Sequence, residues 1–500
     1  MATLAVSALF AWQGNTGFNL WDEGYLWYGA QRVMLGEVPI RDFMGYDPGR
    51  YYWSAGLMTL WGDNGIMALR GAVAIFQTIG LFVGLLLIAR ALKKQDIFYL
   101  LLSAVTLVVW MFPRHKLFDI SLSILSIGVL AFLVQNPTSR RYFFAGLCIG
   151  LIAIFGRNHG MYGVAGSLGV MVWLSLKRAE SPRLIKGFTY WAVGVATGYA
   201  PILLMALLAP GFAIAFWESI RFLFEAKATN LPLPVPWPWR VDFTLVPIGE
   251  AIRGALVGLF FIGTIVFGVL SILWVVRQKL QNKPSPPVLV AASFLALPYA
   301  HFAYSRADVG HLAQGIFPLL VGCLVLFSTQ SAKVKWPLIL MLCTASVWVM
   351  HIYHPGWQCH ASKQCMNIEI SHSNLQVDPA TASDVELLRK LAARYAPGSE
   401  SFIVTPFWPG AYALLEHKSP MWETYALFPR SLAFEQAEIE RIKAARPRFA
   451  FIFDLPLDGR DELRFRNTRP LIHQYILDNF ELLPDSPNPA YQIYKAKGEA

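Results

Sequence analysis

Two carboxylates stand side by side, Asp22 and Glu23, within the aromatic stretch FNLWDEGYLWYGAQ that follows the first apolar segment of the chain. Acids this close to a bilayer are costly unless they have a partner or a task. A carboxylate can take the proton of an attacking hydroxyl as general base, an effect worth roughly 10²–10⁴-fold. Consecutive residues point in different directions on a helix or strand. One of the pair is therefore expected to be catalytic and the other to orient a neighbour or the acceptor. Three short stretches carry the opposite charge: FPRHKLFD with Arg114, His115 and Lys116; FGRNHGMYG with Arg157, Asn158 and His159; and YSRADVGHL with Arg306, Asp308 and His311. Arg binds phosphate with a two-pronged geometry and Lys as a point charge. Both stabilise negative charge that grows on a departing phosphate. Acid and cations together suit transfer of a group from a lipid-linked phosphate.

The elements that must position these residues are membrane helices. Of the 500 residues 55% are hydrophobic and only 15% charged, with a mean hydropathy of +0.44; a soluble chain carries about 25% charged residues. Eleven apolar spans are predicted, near 1–17, 66–91, 97–112, 120–134, 142–156, 163–176, 188–209, 254–276, 287–303, 313–328 and 336–353. The first, ATLAVSALFAW, is short and lacks a preceding basic residue. With no small-residue cleavage site after it, it reads as an uncleaved helix, or as a start that has lost a few residues. The net charge of +10 is not a nucleic-acid footprint, because most of it sits in short loops between spans. Arg90, Lys93, Lys94, Arg140, Arg141, Lys177, Arg178, Arg183, Lys186, Arg277, Lys279, Lys283, Lys333 and Lys335 fall in alternate loops, against only Asp96 and Glu180. By the positive-inside rule those loops face the cytoplasm. The N-terminus is then inside, and 18–65, 113–119, 157–162, 210–253, 304–312 and the tail from 354 are outside.

That topology brings the three cationic clusters and the acidic pair to one membrane surface. It predicts a transmembrane catalytic domain over 1–353, whose first outer loop, 18–65, holds interfacial helices, and a small extracytoplasmic α/β domain over 354–500. In the tail, TASDVELLRKLAARYA reads as a helix opened by a Thr or Ser cap, and SFIVTP, FAFIFD and YQIYKA read as short strands. FWESIRFLFEAK is amphipathic, whereas LPLPVPWPWR is too proline-rich to continue a helix. Cys148, Cys323 and Cys343 fall in apolar spans; Cys359 and Cys365, six apart in the tail, suit a disulfide in an oxidising compartment, ahead of the alternative, a metal pair with His354 and His360. Blander readings stand beside the functional ones. Cations just outside a span also snorkel to headgroups, Asp22 also suits a helix cap, Arg306 and Asp308 also suit a mutual pair, and the histidines suit satisfied structural positions.

Asp22-Glu23, then Gly36-Glu37-Val38-Pro39-Ile40, then Tyr46-Asp47-Pro48-Gly49-Arg50-Tyr51-Tyr52-Trp53 resembles the first outer loop of the GT-C superfamily of membrane glycosyltransferases. The likeness is to the branch of protein O-mannosyltransferases and the lipid A aminoarabinose transferase. It is clearest over the first 70 residues and weaker beyond. The resemblance implies a polyprenyl-phosphate sugar as donor, a hydroxyl of a lipid, glycan or protein as acceptor, Asp22 as catalytic base and Glu23 beside it on the acceptor side. Relatives with a Lys-Pro-Pro stretch place a lysine near the donor phosphate; YDPGR offers Asp47 and Arg50 instead. Phosphate binding is accordingly expected at Arg50, or at Arg114, His115 and Lys116 with Arg157, Arg306 and His311, supported by Asp47, Asp119, His159 and Asp308. No cofactor is required by this reading, and a divalent metal is left open: Asp22 with Asp47, Asp119, His115 or His159 supplies donors without a specific spacing. The expected setting is a bacterial or archaeal-type plasma membrane. The rival function is a multi-span flippase or transporter for lipid-linked sugars, which would place polar or broken segments at mid-membrane.

Overall fold

Apolar runs in a bilayer have no water to satisfy their amides, so they fold as helices. In the computed structural model, which describes all residues except 93, 95, 177–183, 228–229, 363, 485 and 499–500 and the side chains of 360–362, a helix or bent helix pair coincides with each expected span. Lys93, Lys177, Arg178, Glu180 and Arg183 lie outside the described residues. Five helices are long and apolar enough to cross a membrane, Ile66–Ala91, Arg114–Gln135, Ile248–Leu280, Pro287–Ser305 and Ala332–Tyr353. The number rises to seven if the bent pairs Leu184–Gly198/Ala200–Leu208 and Val309–Gly315/Phe317–Ser328 each count as one. Eleven spans is not reached on these grounds: Ala2–Gln13, Ile97–Trp110 and Ser139–Phe155 have 12, 14 and 17 residues, short of the ~20 a crossing takes, and Arg157–Ser175, which opens on a charge, is also outside the set. The chain is a mostly helical, multi-pass membrane protein.

It resolves into two compact units: Met1–Gly14, Gly71–Ala209 and Asn230–Gln358 form the first, and Asn15–Arg70, Pro210–Thr229 and Cys359–Ala500 the second. In the first, the helices Ser139–Phe155 and Leu184–Gly198 carry one Gly-x-x-x-Gly each, Gly146/Gly150 and Gly194/Gly198. A Cβ at Gly146 would lie 2.0 Å from the Trp191 carbonyl oxygen, and one at Gly194 2.1 Å from that of Phe143. Small residues at this spacing let backbones touch where lipid gives no hydrophobic drive. Lys335 Nζ pairs with Asp96 Oδ2 at 2.8 Å, joining two loops assigned to the same side. At the opposite end, His354 bonds both Gln13 Nε2 at 3.1 Å and the Val109 carbonyl at 3.0 Å.

The second unit holds a hairpin, β1 (Met366–Ile370) with β2 (Ser373–Val377), and a four-stranded sheet. That sheet runs β3 (Ile403–Thr405), β4 (Phe449–Phe453), β6 (Tyr491–Ala496), β5 (Phe480–Leu482), with β3 parallel to β4 and the other pairs antiparallel. Its core gathers Ile403, Ile442, Ala450, Ile452, Phe465, Ile472 and Ile476. The helix after the hairpin is Pro379–Tyr395. Asp378 is its cap, accepting from the Thr381 amide at 3.0 Å and its hydroxyl at 2.6 Å, so neither Thr nor Ser opens it as expected. Cys359 and Cys365 are joined by a disulfide.

Within the second unit the segment Asn15–Arg70 and the tail Cys359–Ala500 are one folded body. The Gly410 amide donates to the Leu20 carbonyl at 2.9 Å, and a Cβ on Gly24 would fall 2.4 Å from the Gly410 Cα, closer than any side chain fits. The Ser419 amide donates to the Tyr28 hydroxyl at 3.0 Å, and Trp422 Nε1 donates to the Ile40 carbonyl at 3.0 Å.

Candidate functional site

In the second unit the acidic pair opens the helix Asp22–Met34. Asn19 Oδ1 accepts from the backbone amides of Trp21 and Asp22 at 2.8 and 3.0 Å, so the turn is fastened by Asn19 and Asp22 occupies the first helical position. The two acids part company at once. Asp22 is half-buried, whereas Glu23 is 4% exposed and takes a two-pronged bond from Arg70, Nε to Oε1 and Nη2 to Oε2, both 2.8 Å. Arg70 Nη2 also donates to the Gly17 carbonyl at 2.7 Å, closing the loop before the helix. Asp47 precedes the helix Pro48–Trp61. On its first turn Arg50 is buried, its guanidinium 4.6 Å from the Tyr46 ring centre.

In the first unit Arg114, His115, Lys116 and Arg157 sit at helix starts, and Arg306 at the end of the helix Pro287–Ser305. Arg114, His115 and Lys116 form a single 3₁₀ turn directly before the helix Leu117–Gln135. All three are half-buried, and Arg114 Nη1 donates to the Gln13 carbonyl at 3.0 Å. Arg157 opens the helix Arg157–Ser175. Two residues on, His159 is 1% exposed. Its Nε2 meets Asp119 Oδ1 at 2.9 Å and its Nδ1 the Tyr299 hydroxyl at 3.1 Å, a buried Asp–His–Tyr chain. Asp308 serves two partners. Oδ2 takes Arg306 Nε at 2.9 Å, while Oδ1 takes His311 through Nδ1 at 2.9 Å and its backbone amide at 2.8 Å. Burial pushes the Asp308 carboxyl up, but His311 and Arg306 outweigh it and hold it below its ordinary 3.8. Arg306 Nη1 also donates to the Leu231 carbonyl at 3.0 Å.

No sequence-family model and no curated protein matches the chain. Solved structures do. The ArnT of Cupriavidus metallidurans bound to undecaprenyl phosphate is similar at 12% identity with a TM-score of 0.55, covering 99% of this chain and 96% of that one. The same protein in the apo state gives 13%, 0.50, 98% and 96%. The chain has the GT-C fold. The Archaeoglobus fulgidus oligosaccharyltransferase in the apo form overlays at 11% identity across the whole of this chain and 74% of that one, but at a TM-score of 0.49, too loose to argue from.

Within this GT-C fold, no three His, Cys, Asp or Glu side chains among the described residues converge as a metal site requires. Asp119 and His159, two of the suggested donors, bond each other. Sequence reasoning missed Arg70, Tyr299 and Gln13. Arg70 left a signal, since it is a charge near the start of the apolar helix Ile66–Ala91, and an ionisable group in a span needs a partner. Gln13 left little: its carbonyl accepts from Arg114, its amide nitrogen donates to His354 Nδ1, and its amide oxygen accepts from Gly356 N at 3.4 Å.

His354 yields a prediction. With Nδ1 accepting from Gln13 and Nε2 donating to Val109, the ring fits only as the neutral tautomer. Burial holds its pKa below the ordinary 6.5. A depressed histidine contributes stability that is complete above its unfolded pKa and lost as pH falls below about 6.5. Thermal unfolding in nanodiscs should show the Tm dropping by a few degrees between pH 7.5 and 5.5, with a smaller drop in His354→Asn. An equal drop in the two would acquit this histidine.

Proposed function

We propose that this protein is a glycosyltransferase that moves a sugar from a polyprenyl-phosphate-linked donor to a hydroxyl acceptor at the outer face of a plasma membrane, with Asp22 as general base. The observation that carries the proposal is the division of labour within the acidic pair. Glu23 is spent on Arg70 and fixes the helix start, while Asp22, on the adjoining residue, keeps part of its surface open. The likeness of the fold to an ArnT bound to undecaprenyl phosphate supports a polyprenyl-linked donor.

In the reaction the acceptor oxygen forms a bond to the anomeric carbon as its proton passes to the Asp22 carboxylate. The bond from the anomeric carbon to phosphate oxygen breaks, and its electron pair leaves on the polyprenyl phosphate. That growing charge calls for fixed cations. Arg114, His115 and Lys116 precede one helix, and Arg157 opens another. Cations beside the positive end of a helix dipole repel it unless an anion intervenes. We assign the leaving phosphate to this set, with Arg50, Arg306 and His311 as further donors. Asp308, clasped by Arg306 and His311, and Asp119, bonded to His159, act as positioning residues.

The test is transfer of radiolabelled sugar by purified protein in nanodiscs from a panel of polyprenyl-phosphate hexoses and pentoses. Sugar-linked product with stoichiometric release of polyprenyl phosphate supports the transferase. A panel in which no donor reacts, while labelled donor crosses the bilayer of proteoliposomes, replaces it with a flippase.

A further inference from the structure

Asp22 stands one helical turn before Tyr25, so the two share a face. A run of rings surrounds them. Trp21 stacks on Phe407 at 5.0 Å and 12°, and Phe407 meets Tyr425 at 5.9 Å. Tyr425 meets Tyr25 at 5.5 Å, and Tyr25 meets Tyr46 edge-on at 4.8 Å. Arg50 caps the far end over Tyr46. Phe407 and Tyr25 are buried, while Trp21, Tyr46 and Tyr425 are each partly exposed. The run is firmly based. Trp422 Nε1 is bonded to the Ile40 carbonyl, and the Met44 amide donates to the Trp422 carbonyl at 2.8 Å. Next to Trp422, the buried Glu423 holds Arg430 Nε at 2.7 Å and Arg469 Nε at 2.7 Å.

We infer that Trp21, Tyr46 and Tyr425 form an acceptor subsite for a saccharide ring. A pyranose has an apolar C–H face and a rim of hydroxyls. The partly exposed aromatic residues offer apolar ring surface to the first, and the two phenol hydroxyls and Asp22 offer hydrogen-bonding groups to the second. An acyl chain would call for aliphatic walls, which these residues do not make. An extended peptide would call for open backbone amides and carbonyls, whereas Met44 N, Trp422 O, Ala426 N and Pro406 O are already bonded. The inference rests on the glycosyl-transfer reading and narrows its acceptor to a glycan, one of whose hydroxyls is presented to Asp22.

The experiment uses the whole protein in nanodiscs, without donor, against a panel of methyl glycosides of hexoses and N-acetylhexosamines, read by saturation-transfer NMR. Ring-face protons of at least one glycoside should take up saturation with wild type and with Tyr425→Phe. Tyr425→Leu, which removes the ring, should weaken that glycoside about tenfold. An unchanged Tm shows that Tyr425→Leu is folded; if it is not, Trp21→Leu carries the same comparison. Equal binding by the Leu variant, or a response from a Ser/Thr peptide and from no glycoside, overturns the inference. Because no donor is present, glycoside binding by a protein that transfers no sugar upholds the subsite and sinks only the transferase.

Discussion

Asp22→Asn should bind a polyprenyl-phosphate sugar as the wild type does and transfer it roughly 10²–10⁴-fold more slowly. The amide keeps the size of the carboxylate and much of its hydrogen bonding, so the helix start fastened by Asn19 is undisturbed. What is lost is the ability to take the acceptor's proton as its oxygen attacks. The loss therefore belongs in kcat, with the donor KM nearly unchanged. Single-turnover transfer and donor binding, measured side by side on the two proteins, separate these quantities. Transfer within a few-fold of wild type would remove Asp22 from the chemistry and leave it only the first residue of its helix.

Arg70→Met should cost far more stability than a surface charge. Glu23 and the Arg70 guanidinium bury each other, with side-chain exposures of 6% and 2%. Removing one partner strands a charge in the interior, a loss of about 3–5 kcal/mol. Replacing both by apolar residues, Glu23→Leu with Arg70→Met, is expected to recover most of it, since the desolvation cost disappears with the charges. Thermal unfolding of the single and double variants reads this directly. If the single variant unfolds like wild type, the pair is not the clamp described. Activity carries a second message: a double variant that is stable but slow would show that the clamp's direction, and not merely its stability, positions Asp22.

The helices were legible because a bilayer leaves apolar runs no other form, and β3, β4 and β6 because their hydrophobic runs end at turn residues. Other features were hidden for stateable reasons. The β1–β2 hairpin turns at Ser371 and His372, both with positive φ, 44° and 62°. Such turns usually advertise themselves with Asn-Gly or Asp-Gly, and Ser-His does not. The cap of the helix Pro379–Tyr395 was misread because Thr381 supplies the donors and Asp378 the acceptor. Of the acidic pair, composition announced that one member needed a partner but not which. The contact that answers it spans 47 residues, between Glu23 and Arg70. The Asp308 clasp was open to view in the spacing of YSRADVGHL, and the Asp119–His159–Tyr299 chain was not, because its members come from three helices.

The fit of Gly24 against Gly410 carries a consequence for how the protein is made. The two residues are separated by almost four-fifths of the chain. At roughly 5–20 residues per second the ribosome needs about 20–80 seconds to deliver the second after the first. For that interval the segment bearing Asp22 is already synthesised while the surface that completes it does not exist. A nascent chain halted anywhere before the tail is thus left with Asp22 on an unfinished support. The activity proposed for it is withheld until translation is nearly over.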